Sequence, residues 1–273
     1  MTVRHVFSAQ PLAALALAGL LPLAHAASPA KPAAAAPLPI LLRCAPDDLN
    51  AASVSLDASG TPLQASLYLA SGTHECGLVT DGPATAQPEG AFRFDWNDRD
   101  AHQRYRLTVR RAGDAYTLSV DPRRCGTLEL PATVTVAPKA KGCKVAVDRD
   151  FAFTQFWREL RDAVKRRDGE QLQRLSLPQL QFAEGSDVMT APAAILRGGA
   201  GCVDDVVAAT SGRKLGQMLQ ANETPRLDSP PWSRQGDARV SVDDAITVAW
   251  TKAGWRLEYF NASRDVFSKC KAR

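Results

Sequence analysis

Histidines, cysteines and paired carboxylates are the side chains of this 273-residue chain that could carry out chemistry. Two of its four histidines, His74 and His102, lie beyond the first 26 residues. Neither stands near a Gly-x-Ser-x-Gly elbow, and His74-Glu75 lacks the second histidine of an HExxH zinc motif. A Ser-His-Asp or Cys-His site would have to use one of these two histidines. The sequence therefore gives no support to a hydrolase, and we interpret both histidines as loop residues.

Carboxylates form two adjacent pairs and one pair at helical spacing. Asp204-Asp205 and Asp243-Asp244 are sequence neighbours, whose side chains point apart on a helix or a strand. Neither pair forms a shared site by itself. Glu159 and Asp162 are spaced i, i+3 on a predicted helix, which puts them on one face. They are either surface charges that pair with nearby arginines or, beside an open cavity, functional carboxylates.

Two further segments match ligand-binding loops only in part. Residues 95–100 (Asp-Trp-Asn-Asp-Arg-Asp) offer oxygen ligands, but they lack the glycine and the distal glutamate of a calcium loop. Residues 198–201 are Gly-Gly-Ala-Gly, without the Lys-Ser/Thr of a phosphate-binding loop. We therefore predict a polar turn and a linker at these positions, with neither a metal site nor a cofactor.

Six cysteines follow the first 26 residues, and this even number predicts disulfides in an oxidising compartment. None stands in a Cys-x-x-Cys pair, which argues against a thioredoxin-type redox site and a cysteine-rich zinc site. Six cysteines allow about fifteen pairings. Our hypothesis is sequential pairing, because it keeps each bridge within one predicted domain: Cys44–Cys76, Cys125–Cys143 and Cys202–Cys270.

The N-terminus has the pattern of a secretory signal peptide. Arg4 and His5 give a short basic start, residues 11–23 are almost wholly apolar, and Ala24-His25-Ala26 provides the small residues of a cleavage site. We predict cleavage near Ala26 and a periplasmic or secreted protein. The apolar run is short and interrupted by proline and glycine, so we expect no stable membrane insertion of the mature chain. Residues 27–39, rich in alanine and proline, are predicted to form an exposed leader.

Charge is balanced along the chain. Residues 40–148 carry 12 Lys/Arg and 13 Asp/Glu, and residues 149–273 carry 19 Lys/Arg and 16 Asp/Glu. Neither balance makes the extended basic face that a nucleic-acid-binding protein needs. Because export is predicted as well, we expect no nucleic-acid partner.

Residues 40–148 alternate between apolar and polar side chains, which is the period of half-buried strands. The run that contains Tyr105, Leu107 and Val109 is joined by the turn 111–114 to another alternating run, as in a hairpin. The pattern predicts an antiparallel β-sandwich or small barrel. The other segments of this kind are 54–56, 63–69, 76–79, 92–96, 116–120, 128–130, 134–136 and 144–147.

Three arginines of one predicted strand, Arg104, Arg106 and Arg110, have the same parity and therefore lie on one outward face. The ordinary interpretation is a solvated strand face, on which Arg93 and Asp95 of a neighbouring strand exchange charges. The functional interpretation is a surface that meets an acidic partner. We keep the three arginines as candidate binding residues.

Residues 150–168 form the clearest predicted helix and mark a domain boundary. Their apolar side chains recur at helical spacing, and charged side chains occupy the other face. Asp148 or Asp150 can cap the start, and Gly169 stands where a left-handed residue would end the helix. The apolar stripe consists of Phe153, Phe156, Trp157, Leu160 and Val164.

The second predicted domain, 149–273, mixes helix and strand after this helix. A short helix is predicted at 170–175, and residues 180–219 show little strand signal. Residues 246–259 alternate around a turn and predict a closing hairpin. We therefore expect an α+β fold overall, with a β-rich domain (40–148) followed by an α+β domain.

Three segments of the second domain, in this order, resemble exported members of the nuclear transport factor 2-like (cystatin-like) superfamily. They are the helix end 156–169, the Leu-Pro segment 177–178 and the hairpin end Gly-Trp-Arg-Leu-Glu-Tyr-Phe-Asn, 254–261. The resemblance implies a curved sheet that wraps the first helix into a cone. Superfamily enzymes often pair an aspartate with a histidine in this cavity, and no matching histidine follows here. The candidate lining of an open cone is Trp157, Glu159, Asp162 and Tyr259.

No catalytic constellation emerges, so we predict a non-enzymatic, disulfide-stabilised, two-domain protein that binds another periplasmic or envelope protein. One form of this function is inhibition, as by an inhibitor or immunity protein that neutralises an envelope-acting hydrolase or toxin. The alternative is a small-molecule binder or an enzyme that uses the pocket of the predicted cone. A filled core in the second domain would favour protein binding, and an enclosed cavity with carboxylates would favour the alternative.

Overall fold

A computed structural model describes residues 37–47, 49–80, 82–98, 103–166, 168–184, 187–198, 232–234, 238–242 and 246–261. Strands make up 57% of the structure and helical residues 19%, with two α-helices in this part of the chain. The prediction of an α+β fold is therefore wrong, because the structure is mostly β. The predicted signal peptide, Cys202 and Cys270 lie outside the described residues.

The first sheet is antiparallel and five-stranded, in the order β12-β1-β2-β3-β4. Its first and last strands in space, β12 and β4, are therefore the edges of the sheet. The strands are β1 (Ile40–Cys44), β2 (Asn50–Leu56), β3 (Pro62–Ser71), β4 (His74–Val79) and β12 (Cys143–Val147).

The second sheet is also antiparallel and five-stranded, in the order β11-β8-β7-β6-β5. Gly113, with φ +65°, makes the tight turn between its two central strands, a conformation that glycine adopts without strain. The strands are β5 (Thr85–Ala86), β6 (Ala91–Asp98), β7 (Gln103–Ala112), β8 (Ala115–Asp121) and β11 (Val134–Val136). Two short strands, β9 (Arg124–Cys125) and β10 (Leu128–Glu129), pair with each other.

These sheets share one hydrophobic core, because alternate side chains of their strands point inward. The strand β7 shows the pattern clearly: Tyr105, Leu107 and Val109 are fully buried, while Arg104, Arg106 and Arg110 at the alternate positions are exposed. The buried side chains of this core include Leu42, Val54, Leu67, Leu78, Phe94, Tyr105, Leu107, Val109 and Leu118.

The long helix α1 (Arg149–Arg166) lies where the apolar stripe predicts it, and the whole stripe is buried. Of the two candidate caps, Asp148 makes the capping bond: its Oδ1 accepts the N–H of Phe151 at 2.9 Å. Asp148 also accepts a hydrogen bond from the buried hydroxyl of Ser55 in β2. This carboxylate therefore ties the start of the helix to the first sheet.

Gly169 does not end α1 but begins the short helix α2 (Gly169–Arg174), which Asp168 caps. A Cβ at Gly169 would lie 2.5 Å from the carbonyl oxygen of Leu196. The glycine is therefore needed for close backbone approach and not for the left-handed conformation that the sequence suggested.

The third sheet is six-stranded and mixed, in the order β14-β13-β18-β17-β16-β15, with β13 and β18 parallel. Its inward side chains and the apolar stripe of α1 form a second core. The indole Nε1 of Trp255 donates to the carbonyl of Arg149 at 2.8 Å, which fixes the sheet against the start of the helix. The strands are β13 (Ser176–Glu184), β14 (Asp187–Pro192), β15 (Trp232–Arg234), β16 (Arg239–Val242), β17 (Ile246–Thr251) and β18 (Gly254–Asn261).

The strands β13 and β14 correct the prediction of little strand signal after residue 180. In β13, buried Leu180 and Phe182 alternate with Gln179 and Gln181, but Pro178 obscured this pattern. An irregularity in the pairing of β13 with β18 around Pro178 accommodates the missing N–H. With these strands the described region is mostly β, and the predicted α+β cone is corrected accordingly.

The disulfides differ from the sequential hypothesis. Cys44 is bonded to Cys143 and Cys76 to Cys125. The reason is topological: β12 returns to pair with β1, which places Cys44 directly opposite Cys143 with their Cα atoms 3.9 Å apart. Cys76 lies on the edge strand β4, and its Cα is 6.0 Å from that of Cys125 in β9. The predicted Cys202–Cys270 bridge lies outside the described residues.

Two disulfides indicate an oxidising extracellular or periplasmic environment, since cytosolic thiols are kept reduced. Within the described ranges, no helix is long and apolar enough to cross a membrane.

Candidate functional site

The arginine face consists of Arg104, Arg106 and Arg110 on the outward side of β7. All three side chains are exposed, as the alternation predicts, because the residues between them fill the core. The central strand β7 is paired along its length with β6 and β8, so the face is built on a rigid part of the sheet. The structure thus brings these three candidate binding residues together.

Carboxylates hold two of these arginines in place. Arg106 Nε donates to Asp95 Oδ1 at 3.0 Å, and Arg110 Nη1 donates to Glu89 Oε2 at 2.8 Å. Arg93 Nε lies 2.8 Å from Asp95 Oδ2 without the alignment of a hydrogen bond. The hydrogen bond from Arg106, with the positive charges of Arg93 and Arg104, keeps the pKa of Asp95 below its ordinary value. Asp95 is therefore a fixed anion that orients its neighbours.

Arg104 differs from the other two arginines of the face. Across the strand pair it stands opposite Asn97, whereas Arg106 stands opposite Asp95. Among the described residues, no carboxylate lies within ion-pair distance of the Arg104 guanidinium. Within the described residues, an external anionic group would therefore displace no carboxylate in direct contact with the Arg104 guanidinium.

Hydroxyl side chains complete this side of the sheet. Thr108 lies between Arg106 and Arg110 on β7, and the facing residues of β8 are Thr117, Ser119 and, opposite Arg106, the exposed Asp121. The surface is a sheet face that offers guanidinium, hydroxyl and carboxylate groups. It suits the surface of a macromolecule better than a small ligand, which needs a concave site.

The predicted lining of the cone does not converge on one site. Trp157 is buried and packs on Phe153, with ring centroids 6.1 Å apart. Glu159 and Asp162 are exposed on the opposite side of α1, and Tyr259 is half-buried on β18. Trp157 therefore belongs to the core, and the two carboxylates do not share a pocket with it.

Glu159 lines a different cavity that the sequence did not indicate. This cavity, of about 310 Å³, lies between α1 and the turn that joins β2 to β3. Its acidic groups are Glu159 and Asp57, and the hydroxyl of Ser59 is the main cause that lowers the pKa of Asp57. Because Asp57 is committed to its own turn, the cavity lacks a free pair of carboxylates. The remaining lining residues are Pro37, Pro39, Leu63, Gln155 and Arg158.

A second cavity, of about 260 Å³, opens beside the Cys44–Cys143 disulfide. Its walls are mainly apolar, and two of its polar groups already have partners. The Asn50 amide donates to Asp47, and the Tyr68 hydroxyl donates to Glu75 at 2.9 Å. The sequence could not indicate this cavity, because it depends on the pairing of strands that are distant in the chain. Other wall residues are Ala52, Leu67, Leu69, Pro131, Val134 and Ala140.

The part of the chain that the structure describes contains no group of three or more His, Cys, Asp and Glu side chains that could hold a metal ion. His74 is exposed and is the first residue of β4, so the interpretation of this histidine as a loop residue is wrong. Residues 95–98 of the predicted polar turn likewise belong to β6. His102, Asp204-Asp205 and Asp243-Asp244 lie outside the described residues.

Comparison with known proteins gives no further guide to the site. No protein-family model, curated protein or solved structure matches the chain. The resemblance to the nuclear transport factor 2-like superfamily therefore stays a prediction, and the function has to be argued from the surfaces themselves.

Proposed function

We propose that this protein is a non-catalytic binding protein of an oxidising, extracytoplasmic compartment, and that its arginine face binds an acidic surface of another envelope protein. The observation that supports the proposal is the row of three exposed arginines on one central strand. Within that row, Arg104 has no carboxylate at ion-pair distance in the described part of the chain.

The geometry of the face favours binding over simple solvation. Asp95 orients the Arg106 guanidinium, so this group loses little conformational freedom when a partner arrives. The pair of Arg110 with Glu89 is more exposed and is readily exchanged for a carboxylate of the partner. Arginine is enriched at protein interfaces, because its planar group forms several hydrogen bonds and is weakly hydrated. A preorganised arginine row is therefore suited to a carboxylate-rich surface.

Inhibition of an envelope-acting hydrolase, or immunity to a toxin, is one form of this function. Glycoside hydrolases place two carboxylates at the bond they cleave, so their clefts are acidic. An arginine strand that covers such a cleft would block the substrate and neutralise the carboxylates at once. This form makes the partner an enzyme and the binding strongly dependent on salt.

The alternative function, binding of a small molecule, has support from one observation. The apolar cavity beside Cys44–Cys143 is close in volume to small ligand sites. A ligand of this cavity would raise the melting temperature of the protein. Replacing Arg104, Arg106 and Arg110 would leave this ligand-induced rise in melting temperature unchanged. The same replacement would weaken binding of a protein partner, so the two functions can be distinguished.

The test is affinity capture from envelope extract with the chain from residue 27 onwards. The variant Arg104→Gln/Arg106→Gln/Arg110→Gln is compared with a control that removes the same charge from exposed positions of α1: Arg158→Gln/Lys165→Gln/Arg166→Gln. We expect a stoichiometric partner with the wild type and the control, and at least about a hundredfold weaker binding with the face variant. Capture of nothing by the wild type, or equal capture by the face variant, would overturn the proposal.

A further inference from the structure

The edge strand β12 exposes apolar side chains on one face of the first sheet. Val145 is 54% exposed and Val147 44%, and Ile40 of β1, which is 38% exposed, stands directly opposite Val147. All three share the face of the first sheet that elsewhere points into the core, but the second sheet does not cover them. We call these three residues the valine edge.

Among the described residues, only β1 pairs with the backbone of β12. Cys44 and Cys143, with Cα atoms 3.9 Å apart, form the close type of antiparallel pair that exchanges no hydrogen bonds. Because hydrogen-bonded and non-bonded pairs alternate, Val145 and Val147 point their N–H and C=O groups away from β1. None of the described residues pairs with these groups. Such an edge is a template for another strand.

The opposite face of the same edge carries two positive charges. Arg43 and Lys144 are exposed and stand directly opposite each other on β1 and β12. Like charges in this position repel. In the described ranges, neither has a carboxylate within ion-pair distance. A carboxylate placed beside Lys144 would therefore relieve the repulsion.

We propose that β12 binds an extended segment of a partner protein by strand addition. The segment pairs its backbone with Val145 and Val147 and places apolar side chains against the valine edge. Between them it carries aspartate or glutamate opposite Lys144. This surface lies on the first sheet and does not depend on the proposed function of the arginine face on the second.

The apolar cavity of about 260 Å³ extends this surface at one end. It is lined by Cys44, Cys143, Ala52 and Leu67, on the same face of the sheet as the valine edge. A residue of the added strand opposite Cys143 would lie on the face of the sheet that carries this cavity. We therefore expect the segment to place a large apolar side chain there, next to the acidic position.

A second copy of the chain fits the edge less well than such a segment. In a symmetric dimer two copies of β12 pair antiparallel, and the alternation of bonded groups then requires that Val145 faces Cys143, Val145 or Val147 of the other copy. These registers place Lys144 opposite Lys144, Ala146 or Asp148, respectively. Asp148 is 6% exposed and already bonded to Phe151 and Ser55, so no register neutralises Lys144.

The test uses a labelled synthetic peptide in which valine and glutamate alternate, and fluorescence anisotropy with the disulfide-intact protein. The matched peptide carries lysine in place of glutamate. We expect micromolar binding of the glutamate peptide and at least about tenfold weaker binding of the lysine peptide, a ratio equivalent to about 1.4 kcal/mol. The double variant Arg43→Glu/Lys144→Glu should reverse this preference.

Variants of exposed valines locate the binding edge. Val145→Asp should weaken binding of the glutamate peptide at least about tenfold, because the substitution places a charge against the apolar side chains of the peptide. Val79→Asp is the control, since Val79 is also 54% exposed but lies on the other edge strand, β4. The variant Arg104→Gln/Arg106→Gln/Arg110→Gln should bind the peptide with the affinity of the wild type. Failure of the strand-addition proposal can therefore be distinguished from failure of the proposed function.

Several results would overturn the strand-addition proposal. Equal affinities of the glutamate and lysine peptides would show that Arg43 and Lys144 do not select an acidic segment. An affinity of Val145→Asp equal to that of the wild type would show that the peptide does not bind at β12. Absence of binding up to about 1 mM peptide would exclude the site. A dimer in sedimentation that Val145→Asp dissociates would show that a second copy occupies the edge instead.

Discussion

Replacing Asp148 should destabilise the protein more than replacing any exposed carboxylate of α1. Asp148 is 6% exposed, and its two oxygens serve two elements. One accepts the N–H of Phe151 in the first turn of the helix at 2.9 Å, and the other accepts the hydroxyl of Ser55, which is 3% exposed. The variant Asp148→Ala breaks both bonds and leaves the buried hydroxyl without its acceptor.

The magnitude follows from these two losses. A missing N-cap side chain costs about 1 kcal/mol. A buried hydroxyl left unsatisfied costs about 1–3 kcal/mol. Together they predict a loss of about 2–4 kcal/mol in the free energy of unfolding for Asp148→Ala. For a chain of this size, a loss of about 3 kcal/mol lowers the melting temperature by about 6–12 °C.

Urea unfolding followed by tryptophan fluorescence measures this loss, because Trp157 of α1 and Trp255 of β18 lie in the core. Asp148→Asn should lose about 1 kcal/mol or less, since asparagine caps a helix as well as aspartate and its amide can donate to Ser55. The control Asp162→Ala removes an exposed carboxylate from the same helix and should change stability by less than about 0.5 kcal/mol. If Asp148→Ala and the control have equal stability, the buried link between the helix and the first sheet does not stabilise the fold, and the reasoning is refuted.

Three further predictions test the turns, the disulfides and the charges. Replacing Cys76 and Cys125 together by serine should lower the unfolding free energy by about 4 kcal/mol, because the bridge spans 49 residues, and non-reducing peptide mapping should find these two cysteines linked. Gly142→Ala should destabilise more than Gly113→Ala in the same unfolding assay: both glycines have positive φ, but only at Gly142 would a Cβ lie 2.8 Å from a backbone oxygen. Asp95→Asn should flatten the acid dependence of the melting temperature: hydrogen bonding lowers the folded-state pKa of Asp95, so its stabilisation is present above about pH 4 and is lost as the pH falls through that lower value. Equal acid slopes of the wild type and Asp95→Asn would contradict this assignment.

Local patterns in the sequence predicted the elements in which one face is buried and the other is exposed. The stripe from Phe153 to Val164 predicted α1, and the alternation from Tyr105 to Val109 predicted β7 with its exposed arginines. Both patterns arise from burial on one side of a single element. The candidate arginine face was therefore accessible from the sequence, since only the parity of one strand was needed.

Long-range pairing was not accessible in this way. The disulfide Cys44–Cys143 joins residues 99 apart, and it forms because β12 returns to the side of β1. Nothing in the local pattern of either strand specifies this neighbour. In β13, Pro178 masked an alternation that the neighbouring strand β18 supports, so tertiary pairing prevailed over local propensity. The two cavities were missed for the same reason, since each is lined by segments that are distant in the chain.

The Cys44–Cys143 disulfide explains how β12 keeps its position while it buries so little. From Lys144 to Val147 every side chain of this strand is exposed, so the core gives it weak support. The strand is held by its ladder to β1, by the disulfide at its first residue and by Asp148, which follows its last residue and is buried against Ser55. An edge fixed at both ends loses little conformational entropy when another strand is added. The covalent and polar anchors at the two ends of β12 therefore favour its use as a binding edge.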